Sequence, residues 1–255
     1  MLRVGLAEAV AYRAEFLVWL LSTNMPLVML ALWLAVARDG PVGRYDRASF
    51  TAYYLAALVV RLMTGAWVIW EMNFEIRQGT LSFRLLRPVH PLVSYAAENV
   101  SAMPVRLAVS APVALVALFF AGRDHVAHDP LLLFLFPITL AGAWLITYLA
   151  MASVGALAFY LDSASSLFDV WLGLFGVFSG YLVPLELYPH WVGSLSRWLP
   201  FRYMLAFPVE LITGTLSRPE ALAELGTQWA FAAALLLAAS TMWRLGTRRF
   251  AAYGG

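Results

Sequence analysis

Cysteine and lysine are both missing from these 255 residues. Without cysteine there is no disulfide, no thiolate metal site and no thiol nucleophile. Without lysine there is no phosphate loop of the G-x-x-x-x-G-K-[ST] kind, whose lysine reaches the β/γ-phosphates. All 17 basic residues are arginine, so if ATP drives this protein, another chain binds the ATP. Charge is scarce as well: 13% of residues are charged and 62% hydrophobic, against roughly a quarter and a half in soluble domains. That balance belongs to an integral membrane protein, and no stretch is long and polar enough for a separate soluble domain. The net charge of +2, with arginines scattered among loops, argues against nucleic acid, which needs a clustered basic face. Neither H-E-x-x-H nor G-x-S-x-G occurs, which leaves no hydrolase signature.

Apolar helix is what the chain has in plenty. A crossing helix needs about 20 apolar residues. Charge-poor runs predict an all-α polytopic protein with six transmembrane helices, at about residues 16–37, 48–70, 101–122, within 130–161, 163–183 and 225–243. An even count puts both termini on one side. Arg244, Arg248 and Arg249 after the last run, with Arg77, Arg84 and Arg87 after the second, predict that this side is the cytoplasm. Residues 1–15 read as a retained amphipathic interfacial segment and not as a cleaved signal peptide.

Between the fifth and sixth runs, residues 177–208 leave an apolar span at Pro184, pass through a Trp/Tyr/Pro-rich segment and turn apolar again after Pro200. The apolar run beyond Pro200 is too short to cross before Gly214. Non-spanning backbone at membrane depth survives only where protein or a water-filled cavity supplies its hydrogen bonds. The segment 184–214 therefore predicts a re-entrant hairpin, with Trp191, Trp198 and Tyr203 at the interface and Glu186 and Arg202 as its polar contacts.

Several residues stand out against this background. Arg61 lies deepest in a predicted span and needs a protein or water environment; Asp169, the other charge set within a span, is its candidate partner, and both are candidate path residues. Asn24, beside Pro26, lies in a kinked first span that either lines the path or is locally satisfied. Gly173, Gly176 and Gly180 include a G-x-x-x-G pair, which predicts close packing against another span or against a second subunit. The histidines and aspartates of 123–129 read as a solvated loop, and no metal site is expected. Residues 73–92 form the longest cytoplasmic piece. Read as a helix, Ile76, Leu81, Phe83, Leu85 and Leu86 give it an apolar side, which would lie on the membrane or insert into a partner's groove.

Four pieces then resemble the permease subunits of the bacterial ABC-2 transporter family: Tyr12-Arg13-Ala14-Glu15-Phe16 near the start; Gly79-Thr80-Leu81 with Leu85-Leu86-Arg87-Pro88; SGYLVPLELYP followed by LPFRY; and the exit RRFAAYGG. Their order and spacing extend over essentially the whole chain. The resemblance implies an interfacial elbow helix within 1–15, a coupling segment within 73–92 that docks on a separate ATP-binding subunit through Glu75, Arg77, Thr80 and Arg84, and a gate at 184–214. It also implies a second permease copy or paralogue, a bacterial inner-membrane location, and ATP and magnesium on the partner, with no cofactor in this chain. The implied function is export of an amphipathic or hydrophobic substrate, not catalysis. An ion-gradient carrier or channel using Arg61, Asp169 and Glu210, and a membrane-embedded enzyme or scaffold, are the alternatives.

Overall fold

The computed structural model describes residues 25–121, 125–161 and 165–250, and all regular elements among them are helical. Asn24, the segment 1–15 and the last residues of the exit lie outside the described residues. Helix α1 (Met25–Val36) turns tightly into α2 (Arg47–Thr64). Gly43 adopts φ +61° there, which lets Val42 and Tyr45 exchange backbone hydrogen bonds at 2.9 and 3.0 Å. Asp46 caps α2 by accepting from the Ser49 N–H at 2.7 Å. Trp33 stacks on Phe50 with ring centroids 5.0 Å apart and ties α1 to α2.

Helix α2 stops at Gly65, and α3 (Val68–Arg77) continues the same stretch. The interruption frees the Gly65 carbonyl, and Arg106 donates to it. The chain continues through α4 (Leu81–Leu85), α5 (Pro91–Ser101), α6 (Met103–Ala121), α7 (Pro130–Ala156), α8 (Ser165–Phe178), α9 (His190–Ser196), α10 (Phe201–Met204), α11 (Ala206–Ile212) and α12 (Arg218–Thr247). Among the described residues, four stretches are long and apolar enough to cross a membrane: Arg47–Arg77, Pro91–Val116, Pro130–Phe159 and Arg218–Thr247. Met25–Val36 and Leu167–Phe178 are shorter apolar helices.

Helix α7 is the hub, in contact with α2, α3, α10, α11 and α12. Small residues make this possible, since packing replaces the hydrophobic effect between helices in lipid. A Cβ on Gly142 would meet the Gln228 side chain of α12 at 2.7 Å, and one on Gly155 would meet Met72 Sδ of α3 at 3.1 Å. Gly246 of α12 sits against the Phe159 ring in the same way. One apolar core, around Tyr54, Leu205, Phe207 and Leu211, lies at the hairpin end; a second, around Met72, Leu149 and Trp243, lies toward the opposite end.

The helix boundaries correct several sequence expectations. The second apolar stretch runs to Arg77 instead of 70, because the break at Gly65 interrupts it without ending it. The last helix starts at Arg218 instead of 225, because Ser217 and Glu220 form a capping box, with the Ser217 N–H donating to Glu220 Oε2 at 2.9 Å. The Gly176–Gly180 pair is not a helical stripe. Helix α8 ends at Phe178, and Gly180 lies in a turn at φ +80°, where a Cβ would meet the Tyr53 hydroxyl at 2.5 Å. Gly176 faces Leu182 of its own segment, and Gly173 has open space beside it.

Candidate functional site

The sequence-derived site residues divide between two ends of the molecule, with Arg61 between them. At the hairpin end the turn after α8 is held by aromatic side chains of α1 and α2. Tyr53 donates to the Gly180 carbonyl and Tyr54 to the Leu182 carbonyl, both at 2.8 Å, and Trp33 Nε1 also reaches Leu182 O at 3.3 Å. Tyr53 and Tyr54 are buried, so these bonds replace water for carbonyls that no helix satisfies. Tyr53→Phe leaves the Gly180 carbonyl buried and unpaired, an expected loss of about 1–3 kcal/mol. A lowered melting temperature of the purified chain checks this; an unchanged one contradicts the clamp.

Beyond the turn, α10 and α11 are sunk into the protein. Residues Tyr203 through Phe207 are essentially inaccessible. This corrects the placement of Tyr203 at the interface; Trp191 and Trp198 are exposed. The reason is a polar network that the chain builds around Arg202. Its Nη2 donates to Glu210 Oε2 at 2.7 Å, and its Nη1 lies 2.6 Å from Glu224 Oε1 on α12. The Tyr203 hydroxyl donates to the other Glu224 oxygen at 2.8 Å. Burying the Arg202 guanidinium is costly, and the two carboxylates offset that cost. One helical turn further along α12, buried Gln228 donates to the Tyr203 carbonyl at 2.9 Å and to the Thr139 carbonyl of α7 at 3.0 Å. Glu186, by contrast, is half exposed and pairs with Arg44 of the α1–α2 loop.

The C-terminal end of α11 is satisfied by protein as well. Thr215 N and Thr215 Oγ1 both donate to the Glu210 carbonyl, at 3.0 and 2.9 Å, and Thr213 Oγ1 donates to Val209 O at 2.8 Å. Ala127 N donates to Ile212 O at 2.8 Å. Asp129 caps α7 and takes two hydrogen bonds from the Arg218 guanidinium, which hold its carboxyl below the usual range.

At the opposite end, Arg84 of α4 organises the segment 73–92. It forms a fork on Glu75, Nε to Oε2 at 2.9 Å and Nη2 to Oε1 at 2.7 Å. Its Nη1 donates to Ser94 Oγ and Glu98 Oε1, both at 2.8 Å. Its guanidinium lies 3.9 Å from the Tyr95 ring centroid, and the Tyr95 hydroxyl donates to Glu75 at 2.6 Å. Hydrogen bonding by Glu75 raises the Arg84 pKa most, against the opposing effect of burial. Arg77 is exposed and reaches only Asn73 Oδ1, at 3.0 Å. Among the described residues the Thr80 hydroxyl is buried and has no hydrogen-bond partner.

The single amphipathic helix read from 73–92 is broken. Gly79 at φ +72° ends α3 and redirects the chain, so Ile76 and Leu81 are buried while Phe83 (70% exposed), Leu85 and Leu86 (83%) face outward. Arg61 takes aromatic partners instead of Asp169: its guanidinium lies 5.1 Å from the Phe175 ring centroid and 5.7 Å from that of Tyr181. Asp169 is exposed on α8. Glu224 and Gln228 were missed by the sequence reading. Their signal is polar residues four apart in an apolar run, which places them on one helix face.

Helices of this length and apolarity, packed through glycine and latched by buried polar groups, define a polytopic membrane protein. Residues 22–254 match the family described as ABC-2 family transporter protein, and the chain belongs to that family. No curated protein matches it. Membership makes it an ABC transporter permease, a transport component that works with an ATP-binding subunit and comes from a family generally without its own catalytic site.

Proposed function

We propose that this chain is one half of the membrane domain of an exporter in a bacterial inner membrane, moving an amphipathic or hydrophobic substrate. A separate subunit hydrolyses ATP with magnesium, and a second permease copy or paralogue completes the path. The observation that carries the proposal, beyond family membership, is the hairpin. Its α10–α11 arm, residues 201–212, is roughly 18 Å long as helix, short of the ~30 Å of hydrocarbon. Its backbone ends are paired within the protein, as membrane-depth irregular structure requires. This supports a re-entrant element at 184–214 that closes the outer end of the path.

The six-span topology adds α1 and α8 to the four long stretches and sets both termini in the cytoplasm. In that orientation the Arg84 end faces the ATP-binding subunit. Phe83 and Leu86 then form an apolar docking surface flanked by Arg77, while Glu75, Thr80 and Arg84 shape it from behind. Arg61 and Asp169 belong to the path side, Asn24 is assigned to it on the sequence alone, and Gly173, with space beside it, is available to the second permease copy. The low count of fixed charges supports an apolar substrate. The test is reconstitution with the ATP-binding subunit in lipid: the complex co-purifies and hydrophobic candidate substrates stimulate its ATPase. Transport that persists without that subunit overturns the proposal.

A further inference from the structure

The membrane-length stretch Arg47–Arg77 is apolar throughout, yet its helix is interrupted. Helix α2 supplies 18 residues and α3 supplies 10, and Gly65, Ala66 and Trp67 between them are not helical. Nothing local enforces this gap. The stretch holds no proline. Gly65 sits at φ −58° and ψ 135°, which any residue can adopt, and a Cβ on it would meet only the Arg61 carbonyl, at an ordinary 3.5 Å.

The gap is held from another helix. In an unbroken helix the Gly65 carbonyl accepts from the Ile69 N–H; here it accepts from the Arg106 guanidinium of α6. The same guanidinium nitrogen lies 3.4 Å from Asn99 Oδ1 of α5, which also accepts from Trp144 Nε1 of α7 at 2.7 Å. Arg106 therefore ties the gap to three other helices. The Gly65 carbonyl is paired in the gapped form and would be paired again in a continuous one. Leaving it unpaired at membrane depth is what costs free energy. Exchange of its partner thus separates two discrete arrangements of the same residues.

The gap also falls where the packing divides. Residues of α2 up to Val60 belong to the core at the hairpin end, and those from Ala66 onward belong to the opposite core. Helices α7 and α12 run unbroken through both. On one side of the gap, α2 holds the hairpin turn through Tyr53 and Tyr54. On the other, α3 is fixed to α4 by the fork between Glu75 and Arg84.

We propose that residues 65–67 are a two-state joint: Arg106 pins the gapped form, and its release lets α2 and α3 fuse into one helix that carries movement of the coupling segment to the hairpin turn. Arg106 is a positioning residue in this scheme. The relay rests on the permease reading, whereas the joint does not.

The test uses the full chain in lipid nanodiscs, with nitroxides on Arg47→Cys and Phe74→Cys, both at exposed positions, and distances read by double electron–electron resonance. A fused helix puts these positions about 40 Å apart by its rise per residue. The gapped form should give a second distance and dominate in the chain with Arg106 and Gly65 intact. Arg106→Met, which keeps an unbranched stem and removes the donor, should raise the ratio of fused to gapped form about tenfold or more. Gly65→Ala should raise it about two- to fivefold through helix propensity alone, and stands as the test if Arg106→Met misfolds. A distance distribution that neither variant changes overturns the joint. In the complex with the ATP-binding subunit, trapping with ATP and vanadate should shift the same two populations. Populations that respond to the variants and not to nucleotide overturn the relay and leave the joint. The first measurement needs no ATP-binding subunit, so failure of the permease reading does not alter its result.

Discussion

Arg202→Ala is expected to lower the stability of the purified chain more than any other single truncation at the hairpin end. The substitution strands two carboxylates, Glu210 and Glu224, in a site where Arg202 and Glu210 are only 8% and 10% exposed. Breaking a buried pair by removing one partner costs about 3–5 kcal/mol, mainly because it leaves a charge buried and uncompensated. For a chain of this length that corresponds to a fall in melting temperature on the order of 10 °C. The double variant Arg202→Met with Glu210→Leu should recover a large part of the loss, since the worse of the two stranded charges is removed with its partner. Glu224 keeps the Tyr203 hydroxyl and its own partial exposure. If the single and double variants melt together, the network does not carry the stability assigned to it. The consequence for function is that the hairpin is fastened to α12 through Glu224 and Gln228 and to α7 through Gln228. If the segment 184–214 acts as the proposed gate, it moves together with those helices.

Arg84→Ala gives the second large effect, at the opposite end. Arg84 is 11% exposed and Glu75 20%, so the loss is discounted from the fully buried range to about 2–3 kcal/mol. Arg84→Lys should recover little, because an ammonium cannot reproduce the fork on Glu75 while also reaching Ser94 and Glu98. Arg77→Glu provides the contrast. Arg77 is exposed and bonded only within its own helix, so charge reversal should leave stability within about 0.5 kcal/mol. The same reversal should uncouple ATP hydrolysis from transport if Arg77 flanks the docking surface. Thermal unfolding separates the two roles before any transport assay is needed. An Arg84 variant as stable as the Arg77 variant contradicts the organising role of Arg84.

Much of this fold is legible in the sequence because lipid imposes simple demands. Charge-free runs such as 130–161 yield α7 directly, and Gly79, Pro88 and Pro91 mark the breaks around α4 and the start of α5. The short apolar arm after Pro200 reads as non-spanning for a reason of length alone. The features that were not legible depend on partners distant in sequence. Tyr203 looks like a belt aromatic until Glu224, 21 residues on, accepts its hydrogen bond. Arg61 looks in need of a carboxylate until two aromatic rings, 114 and 120 residues away by numbering, accept it instead. The glycines misled for a related reason. Spacing singles out Gly176 and Gly180 as a helical pair, yet only Gly180 closely approaches another helix, at Tyr53 and from a turn, while Gly142, Gly155 and Gly246 also make close approaches, to Gln228, Met72 and Phe159 on other elements.

The central claim is that the Arg84 end meets the ATP-binding subunit while the hairpin end faces away from it. The absence of cysteine makes this directly measurable, since any introduced thiol is unique in the chain. Phe83→Cys and Trp198→Cys, at exposed positions on the two ends, can each be labelled with a maleimide-benzophenone and photolysed in the assembled complex. Phe83→Cys is expected to cross-link to the ATP-binding subunit and Trp198→Cys is not. Cross-linking through Trp198→Cys with none through Phe83→Cys contradicts the claim.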